Sequence, residues 1–312
     1  MKIHRMVYNF HSVDKVDPHG NPFARLSNIR PGSFNAFTGW LGRTSRFSVL
    51  EELLSNSADS GSGSTAVHFT FDDLSTSFVR NVLPLIEKKS IPVTLFVSAR
   101  NAESGYSWRD KIYFILDDPK LKSRFVSRMQ DVFACDPFDT GRIYWESKDP
   151  KYDQSILESD VVDVVLKDYM PDFLESVDRF KPYLTWEDLE KIKDHPLITI
   201  GNHGHYHYDY RSLSNEQISE DIQGGHLLIQ ERLGITCDRF AIPFGGMDEE
   251  VKTVVTETLS RLRYKSAGWV RKSRIDVDKS EGIAHYFRID AGKNVFLNLI
   301  KFWSVYLKSE NK

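Results

Sequence analysis

Residues 65–98 read TAVHFTFDDLSTSFVRNVLPLIEKKSIPVTLFVS, and this stretch decides the fold. An apolar, β-forming run at 65–71 leads directly into two aspartates, and a second such run spans 91–98. The segment between them places apolar side chains at helical spacing, at Phe78, Val82, Leu85 and Ile86. Strands that are apolar throughout and joined by a helix are typical of a parallel sheet covered by helices. The stretch therefore predicts an α/β fold.

The same alternation of strands and helices surrounds this unit. A strand is predicted near the start, at 2–11, and others at 46–48, 197–200, 239–243, 264–269 and 284–289. Thr185 with Asp188 and Ser214 with Gln217 have the spacing of capping boxes, so each pair should begin a helix. Further helices are expected at 249–262 and 294–308. We therefore expect a single domain over residues 1–312.

Residues 99–182 interrupt this rhythm. Such a segment is too long for a structureless loop inside a compact domain. Its apolar residues recur at helical spacing, as at Leu121, Phe125 and Met129, which predicts a helical insertion that forms a lid or a side wall. Four aromatic residues of the insertion are candidates either for stacking on sugar rings or for simple core packing: Tyr106, Trp108, Tyr144 and Trp145.

Composition excludes several classes of protein. A net charge of -3 gives no electrostatic basis for nucleic-acid binding, and two cysteines cannot form a disulfide framework. No run of about 18 apolar residues predicts a membrane span, and the first residues lack the pattern of an export signal. A cytoplasmic protein of unknown oligomeric state is expected. The last helix carries Phe302 and Trp303 beside lysines, so peripheral membrane association is an alternative to packing on the core.

A second decisive stretch, residues 198–210, reads ITIGNHGHYHYDY. A short strand ends here in a loop that carries His203, His205 and His207. Gly204 stands where a helical zinc-peptidase motif needs glutamate, and glycine favours a loop. A His-x-x-x-His loop can direct two imidazoles at one metal ion, and a carboxylate from elsewhere should then be the third ligand. We expect the side chain of His205 to point away from its neighbours.

The carboxylate is expected in Asp72 and Asp73. Adjacent aspartates at the carboxyl end of a parallel strand lie where such sheets place their active sites. One could bind the metal while the other acts as a general base. The alternative is that both only cap the helix that follows.

Three motifs in this order resemble the polysaccharide deacetylase family, the NodB-homology domain of carbohydrate esterase family four. They are Thr-Phe-Asp-Asp at 70–73, Gly-Asn-His-x-x-x-His at 201–207 and Pro-Phe-Gly at 243–245. The opening Val-Tyr-Asn-Phe-His at 7–11 is also similar to the leader of many members. The likeness covers most of the chain except the insertion.

The resemblance implies a distorted parallel (β/α) barrel and a divalent metal, most often zinc. It implies that Asp73, His203 and His207 hold the metal and that Asp72 is the general base. The backbone N–H of Phe244 would then help to form an oxyanion hole.

The chain also departs from the family pattern. Leu74 replaces the glycine after the second aspartate, Gly204 replaces a serine or threonine, and Ala241 replaces an arginine. We therefore expect another cation, Arg288, to support Asp72. The late Leu-x-His motif that supplies the general acid has no clean match, and His285 is the default candidate.

The predicted function is metal-dependent removal of an N-acetyl group from an amino sugar in a glycan or glycan precursor. Two alternatives stay open at this point. One is hydrolysis of another non-peptide C–N bond, such as a cyclic amide. The other is a catalytically silent glycan-binding protein on the same fold.

Overall fold

The computed structural model describes residues 5–15, 23, 28–55, 65–246, 248–270, 278–292 and 295–310. The strands are β1 (Arg5–Phe10), β2 (Ser12–Val13), β3 (Asn28–Ile29), β4 (Ser45–Phe47), β5 (Thr65–Asp72), β6 (Val93–Val97), β7 (Ile198–Asn202), β8 (Arg239–Ala241), β9 (Ser266–Val270), β10 (Asp278–Ser280) and β11 (Ile283–Asp290).

The α-helices fall into two groups, those around the sheet and those of the insertion. The first group is α1 (Pro31–Thr44), α2 (Leu50–Leu54), α3 (Leu83–Lys89), α11 (Trp186–Ile192), α12 (Asn215–Leu233), α13 (Glu249–Arg261) and α14 (Val295–Glu310). The second group is α4 (Ala99–Ser104), α5 (Trp108–Asp117), α6 (Pro119–Phe133), α7 (Ile143–Glu146), α8 (Gln154–Ile156), α9 (Asp163–Leu166) and α10 (Met170–Phe180).

Seven parallel strands close into a barrel, in the order β1-β11-β9-β8-β7-β6-β5 and back to β1. The closing pair, β1 with β5, runs in register from Arg5 opposite Ala66 to Phe10 opposite Phe71. Strand β4 lies outside the ring beside β5, and β10 pairs antiparallel with β11. The parallel (β/α) barrel predicted from the sequence is therefore confirmed.

Alternation along the strands separates the two sides of the barrel wall. In β5, Phe69 and Phe71 pack outward in the main apolar core, and Thr70 and Asp72 face the interior. Glycines make room inside, since a Cβ at Gly201 would lie 2.6 Å from the Phe96 ring. The polar side chains Thr70 and Asp72 thus lie on the inner face near the carboxyl end of β5.

The two predicted capping boxes are present. Thr185 with Asp188 begins α11, and Ser214 with Gln217 begins α12, each by reciprocal side-chain to backbone hydrogen bonds. Helix α12 ends at Gly234, which adopts a left-handed φ of 69°.

The helices α4 to α10 lie between β6 and α11, and α5, α6, α7 and α9 share an apolar cluster that is separate from the main core. That cluster includes Trp108, Ile112, Leu121, Phe125 and Met129. In the part of the chain that the structure describes, no helix is both long and apolar enough to cross a membrane.

Candidate active site

A cleft of about 280 Å³ opens at the carboxyl ends of the barrel strands. Barrel residues line its floor and the insertion lines one wall. The lining is formed by Asn9, His11, Asp72, Asp73, Arg109, Tyr113, Tyr144, Lys148, His203, His207, Ile242, Phe244, Gly245, Val270 and Asp290. Five of the seven residues predicted from the sequence therefore line the cleft, and Arg288 and His285 do not.

Asp73, His203 and His207 converge on one point in this cleft. One ligand atom of each lies within 4.8 Å of the others, and all three residues are buried. His207 Nε2 is 2.9 Å from Asp73 Oδ1, and His203 Nε2 is 3.6 Å from the same oxygen. Ligands at about 2.1 Å from a tetrahedral zinc ion lie about 3.4 Å apart. The spacing fits a small divalent cation.

The hydrogen bonds around these residues also fit a metal. Asp73 Oδ1 is fully buried, and no described residue gives it a hydrogen bond of good geometry. His203 Nδ1 donates to the carbonyl oxygen of Ala241 at 2.7 Å, which leaves Nε2 free of a proton and directed into the cleft. Burial lowers the pKa of His203 to about 4, so this imidazole is neutral at pH 7, as a ligand must be.

Charge balance ties Asp73 to His207. Burial acts to raise the pKa of Asp73, but the His207 imidazole reverses that effect and the pKa lies well below its usual range. Burial likewise acts to lower the pKa of His207, and the Asp73 carboxylate raises it above the ordinary value. The pair thus favours carboxylate beside imidazolium, and a cation bound here would take over the role of that proton.

Asp72 lies beside this cluster, and Arg288 holds it. Arg288 Nη1 donates to Asp72 Oδ1 at 2.6 Å, and both side chains are buried. The same nitrogen lies 3.2 Å from Asn9 Oδ1, and the guanidinium stands over the Phe96 ring. Burial acts to raise the pKa of Asp72, but Arg288 brings it below the ordinary value. Asp72 is therefore an anion whose second oxygen faces His203 Nε2 at 3.6 Å.

Three site residues have a left-handed backbone although none is glycine. The φ angles are 65° at Asp73, 61° at His207 and 58° at Phe244. Leu74, at the position of the family's glycine, has a φ of 62°. Such conformations cost free energy and cluster at functional sites. The surrounding structure thus holds these residues in place against their local preference.

The histidine loop is held by Asp221 of α12, which sequence reasoning missed. Its carboxylate accepts hydrogen bonds from the backbone N–H groups of His205 at 3.1 Å and Tyr206 at 2.7 Å, and from the Tyr210 hydroxyl at 2.8 Å. A Cβ at Gly204 would lie 2.2 Å from Asp221 Oδ2. The carboxylate therefore occupies the space that a side chain at 204 would need. A charged residue on the buried stripe of an amphipathic helix was the available signal.

The insertion is bonded directly to the same loop. Trp108 Nε1 donates to the carbonyl oxygen of His207 at 3.0 Å. The Tyr208 hydroxyl donates to Glu158, and the Asp209 N–H donates to Gln154 Oε1 at 2.8 Å. Glu158 is buried and is also paired with Arg100 and Lys111 of the insertion. Both halves of the cleft thus share one hydrogen-bonded framework.

The expectation that His285 is the general acid is wrong in this structure. His285 lies on the outer face of β11, where its Nδ1 accepts from Trp269 Nε1 at 3.0 Å and its Nε2 lies 3.1 Å from the Thr256 hydroxyl. Arg288 is three residues further along the strand and therefore faces the opposite side, into the barrel. His11 is the additional imidazole that lines the cleft, with Nε2 4.0 Å from Asp73 Oδ2.

The remaining predicted residues have different positions. Phe244 lies in a tight turn with its ring 5.0 Å from the His207 ring. His205 points away from the cleft, as expected, and stacks on Tyr206 at 3.9 Å. Of the four insertion aromatics, Tyr144 lines the cleft. Trp108 is buried and Trp145 is 67% exposed.

The family and the fold of the chain are similar to those of known deacetylases. A family model described as polysaccharide deacetylase matches residues 59–261. No curated protein matches the chain. Among solved structures, IcaB from Ammonifex degensii is 16% identical with a TM-score of 0.59, over 97% of this chain and 98% of that one.

Two further structures have the same fold. The Streptococcus pyogenes deacetylase PplD, solved in complex with acetate, is 13% identical with a TM-score of 0.58, over 96% of this chain and 98% of that one. A de-N-acetylase from Aggregatibacter actinomycetemcomitans is 11% identical with a TM-score of 0.52, over 95% of this chain and 98% of that one. With a family match over most of its length, this chain belongs to the polysaccharide deacetylase family and is a hydrolase that acts on carbon–nitrogen bonds.

Proposed function

We propose that this protein removes the N-acetyl group from an amino sugar of a glycan or glycan precursor, and that it depends on a divalent metal, most favourably zinc. The observation that carries the proposal is the convergence of Asp73, His203 and His207 beside the Asp72–Arg288 pair. Two imidazoles and one carboxylate are a donor set that zinc accepts, with a coordination position left open. A zinc ion bound there would lower the pKa of a water molecule from about 15.7 toward roughly 7 and polarise the acyl carbonyl.

Different residues of the chain carry out the two proton transfers of the reaction. Asp72 Oδ2 takes the proton of the attacking water, since Oδ1 is already engaged by Arg288. The N–H of Phe244 donates to the oxyanion, a kind of bond whose loss typically costs about 3 kcal/mol in the barrier. His11 supplies the proton that the leaving amine needs, in place of His285, because it is the imidazole beside the metal cluster.

Metal loading and acetate release test this proposal together. The protein is stripped with a chelator, reloaded with zinc and assayed on N-acetylglucosamine oligomers. We expect Asp73→Ala and His203→Ala to lose both bound zinc and acetate release. Asp72→Asn should keep zinc and lower kcat by about 10²–10⁴. His195→Ala changes an imidazole outside the cleft, paired with Glu87, and serves as the matched control. Unchanged acetate release in Asp73→Ala would refute the assignment.

The two alternative activities give different results in the same experiment. Turnover of cyclic amides with no acetate release would favour the other C–N hydrolase. Binding of oligomers by zinc-loaded protein without any turnover would favour a silent glycan-binding protein. The retained Asp72, Asp73, His203 and His207 speak against the silent protein, because buried charges without a metal are costly.

We further propose that residues 1–312 act as one catalytic domain and that the 99–182 insertion is a side wall of its cleft. Arg109, Tyr113, Tyr144 and Lys148 of the insertion line the cleft, which supports this role. The hydrogen bond from Trp108 to His207 ties the wall to the metal loop.

Peripheral membrane association and a cytoplasmic location stay predictions. Helix α14 packs Phe302 against Trp40, with ring centroids 4.8 Å apart, so one face covers the core. Among its described side chains, the exposed large apolar ones are Phe296, Leu297, Ile300 and Trp303. Sedimentation with vesicles of neutral or anionic lipid would test the membrane proposal, and protein that stays in the supernatant with both would refute it.

A further inference from the structure

Arg109 is a buried cation in the wall of the cleft, and no described residue gives it a carboxylate partner. It is 6% exposed, and its Nη1 makes a 3.4 Å hydrogen bond to the carbonyl oxygen of Ser147. Its Nη2 is buried and has no hydrogen-bond partner among the residues that the structure describes. Within 4.0 Å, and in the described part of the chain, no carboxylate faces this guanidinium. The aromatic rings around it, those of Trp108, Tyr144 and Phe244, lie 5.4–5.5 Å from Cζ.

Lys148 is a second cation on the same wall. Its Nζ donates to the Tyr144 hydroxyl at 2.6 Å and stands 4.4 Å from the centre of the Tyr144 ring. Within the described ranges it too makes no ion pair with an aspartate or glutamate. Arg109 and Lys148 thus both stand close to the Tyr144 ring, which lines the cleft.

The nearby carboxylates are engaged elsewhere. Asp110, the next residue in α5, accepts from the Ser107 N–H at 2.7 Å and from the Tyr183 hydroxyl at 3.4 Å. Burial raises the pKa of Asp110 to about 7, so it is a weak counter-ion at neutral pH. Asp72 is paired with Arg288, and Asp73 faces the histidines. Asp290 is the last residue of β11, is exposed, and lines the rim of the cleft. Strand β9 separates β11 from β8 and from the Phe244 turn that follows β8.

A buried guanidinium with unused donors is costly unless an anion meets it. Arginine offers a planar fork that matches carboxylate and phosphate oxygens, and a lysine beside it adds a compact charge. We propose that Arg109 and Lys148 bind an anionic group of the substrate, a carboxylate or a phosphate carried by the N-acetyl amino sugar. This inference rests on the proposed function, and it makes the insertion the part of the chain that selects the substrate.

Three matched sugars test the inference. N-acetylglucosamine is neutral, N-acetylmuramic acid adds a carboxylate, and N-acetylglucosamine 1-phosphate adds a phosphate. Dissociation constants are measured by calorimetry with zinc-loaded protein, and kcat/KM by acetate release. We expect at least one anionic sugar to bind about tenfold to a hundredfold more tightly than the neutral one. The two anionic arms distinguish carboxylate from phosphate recognition.

Two variants connect the preference to the wall. Arg109→Gln should reduce the ratio of anionic to neutral affinity toward one, chiefly through KM in the kinetic assay. Lys148→Met should reduce it in the same direction, and because Lys148 is half-buried this variant serves if Arg109→Gln fails to fold. Arg124→Gln removes an insertion cation that does not line the cleft and should leave the ratio unchanged.

The outcomes separate this inference from the proposed function. If no sugar releases acetate but the anionic sugars still bind more tightly through Arg109, the deacetylase assignment fails and the anion site stands. If acetate is released and the neutral sugar is bound equally well, the anion site is overturned. An anionic preference that survives in both Arg109→Gln and Lys148→Met, for example through phosphate bound to zinc alone, would also overturn it.

Discussion

Restoring the family's usual side chain at Gly204 should damage this protein. Gly204 has a φ of +79°, and a Cβ there would lie 2.2 Å from Asp221 Oδ2 and 2.9 Å from the Tyr210 hydroxyl. A serine or alanine would therefore meet two penalties, an unfavourable backbone conformation and a collision with the carboxylate that holds the loop.

The size of the loss follows from these two terms. A left-handed backbone costs a residue with a Cβ about 1–2 kcal/mol. Displacing Asp221 sacrifices at least one of its three hydrogen bonds, and bonds to a charged group contribute about 1.5–3 kcal/mol each. Gly204→Ala should thus lower the free energy of unfolding by about 3–5 kcal/mol. Zinc affinity should fall by about tenfold or more, because the loop carries both histidine ligands.

Urea unfolding of protein stripped of metal by a chelator measures the loss of unfolding free energy. A second glycine with a left-handed backbone serves as the control that isolates the contribution of the clash. Gly234 has a φ of +69°, and a Cβ at this position would have nothing within 4 Å. Gly234→Ala should therefore lower the free energy of unfolding only by the cost of the left-handed backbone, about 1–2 kcal/mol. In Gly204→Ala/Asp221→Ala the clash is gone, so the double variant should lose less than the sum of the single ones. Equal losses in Gly204→Ala and Gly234→Ala, with additivity in the double variant, would refute this account of the loop.

Two other predictions concern buried charge inside the barrel. Arg288→Met leaves the Asp72 carboxylate buried without its cation, so we expect the free energy of unfolding to fall by about 3–5 kcal/mol. Because Arg288 lowers the pKa of Asp72, the acid limb of the pH profile of acetate release should also move to higher pH. A stability within about 1 kcal/mol of the original protein would contradict this. His68 is buried between the Ser48 carbonyl and the Thr94 hydroxyl, and burial lowers its pKa from 6.5 to about 4. The unfolded chain therefore binds more protons between those values, so stability should fall by up to roughly 3 kcal/mol as the pH drops from about 6.5 to 4. His68→Gln should flatten that part of the curve in urea unfolding at several pH values, and an unchanged slope would count against it.

The barrel and the meeting of Asp73 with the two histidines could be predicted because local signals carry them. Apolar strands that end in polar residues bring their carboxyl ends to one edge, so Asp73 and the two histidines had to meet if the strands were parallel. The error at His285 also had a local signal. Residues three apart on a strand face opposite sides, so His285 and Arg288 could not both point into the cleft.

The rest of the site depends on contacts between segments that are distant in the chain. Asp221 can bond to the histidine loop only because α12 packs against β7. No local sequence pattern specifies that packing. The position of Arg109 in the cleft likewise depends on how the insertion folds on the barrel, more than thirty residues away from either flanking motif. Helical spacing predicted the insertion helices but not the surface they would line.

The bonds between the insertion and the histidine loop have a consequence for turnover. A hinged cover over the cleft would have to break the Trp108–His207 and Tyr208–Glu158 hydrogen bonds in every cycle, and so would loosen His207, a proposed metal ligand, each time it opened. We therefore expect this wall to stay in place while sugars enter and leave through the open mouth. Product departure would then be governed by diffusion and by the charge of the sugar, and not by a slow conformational gate.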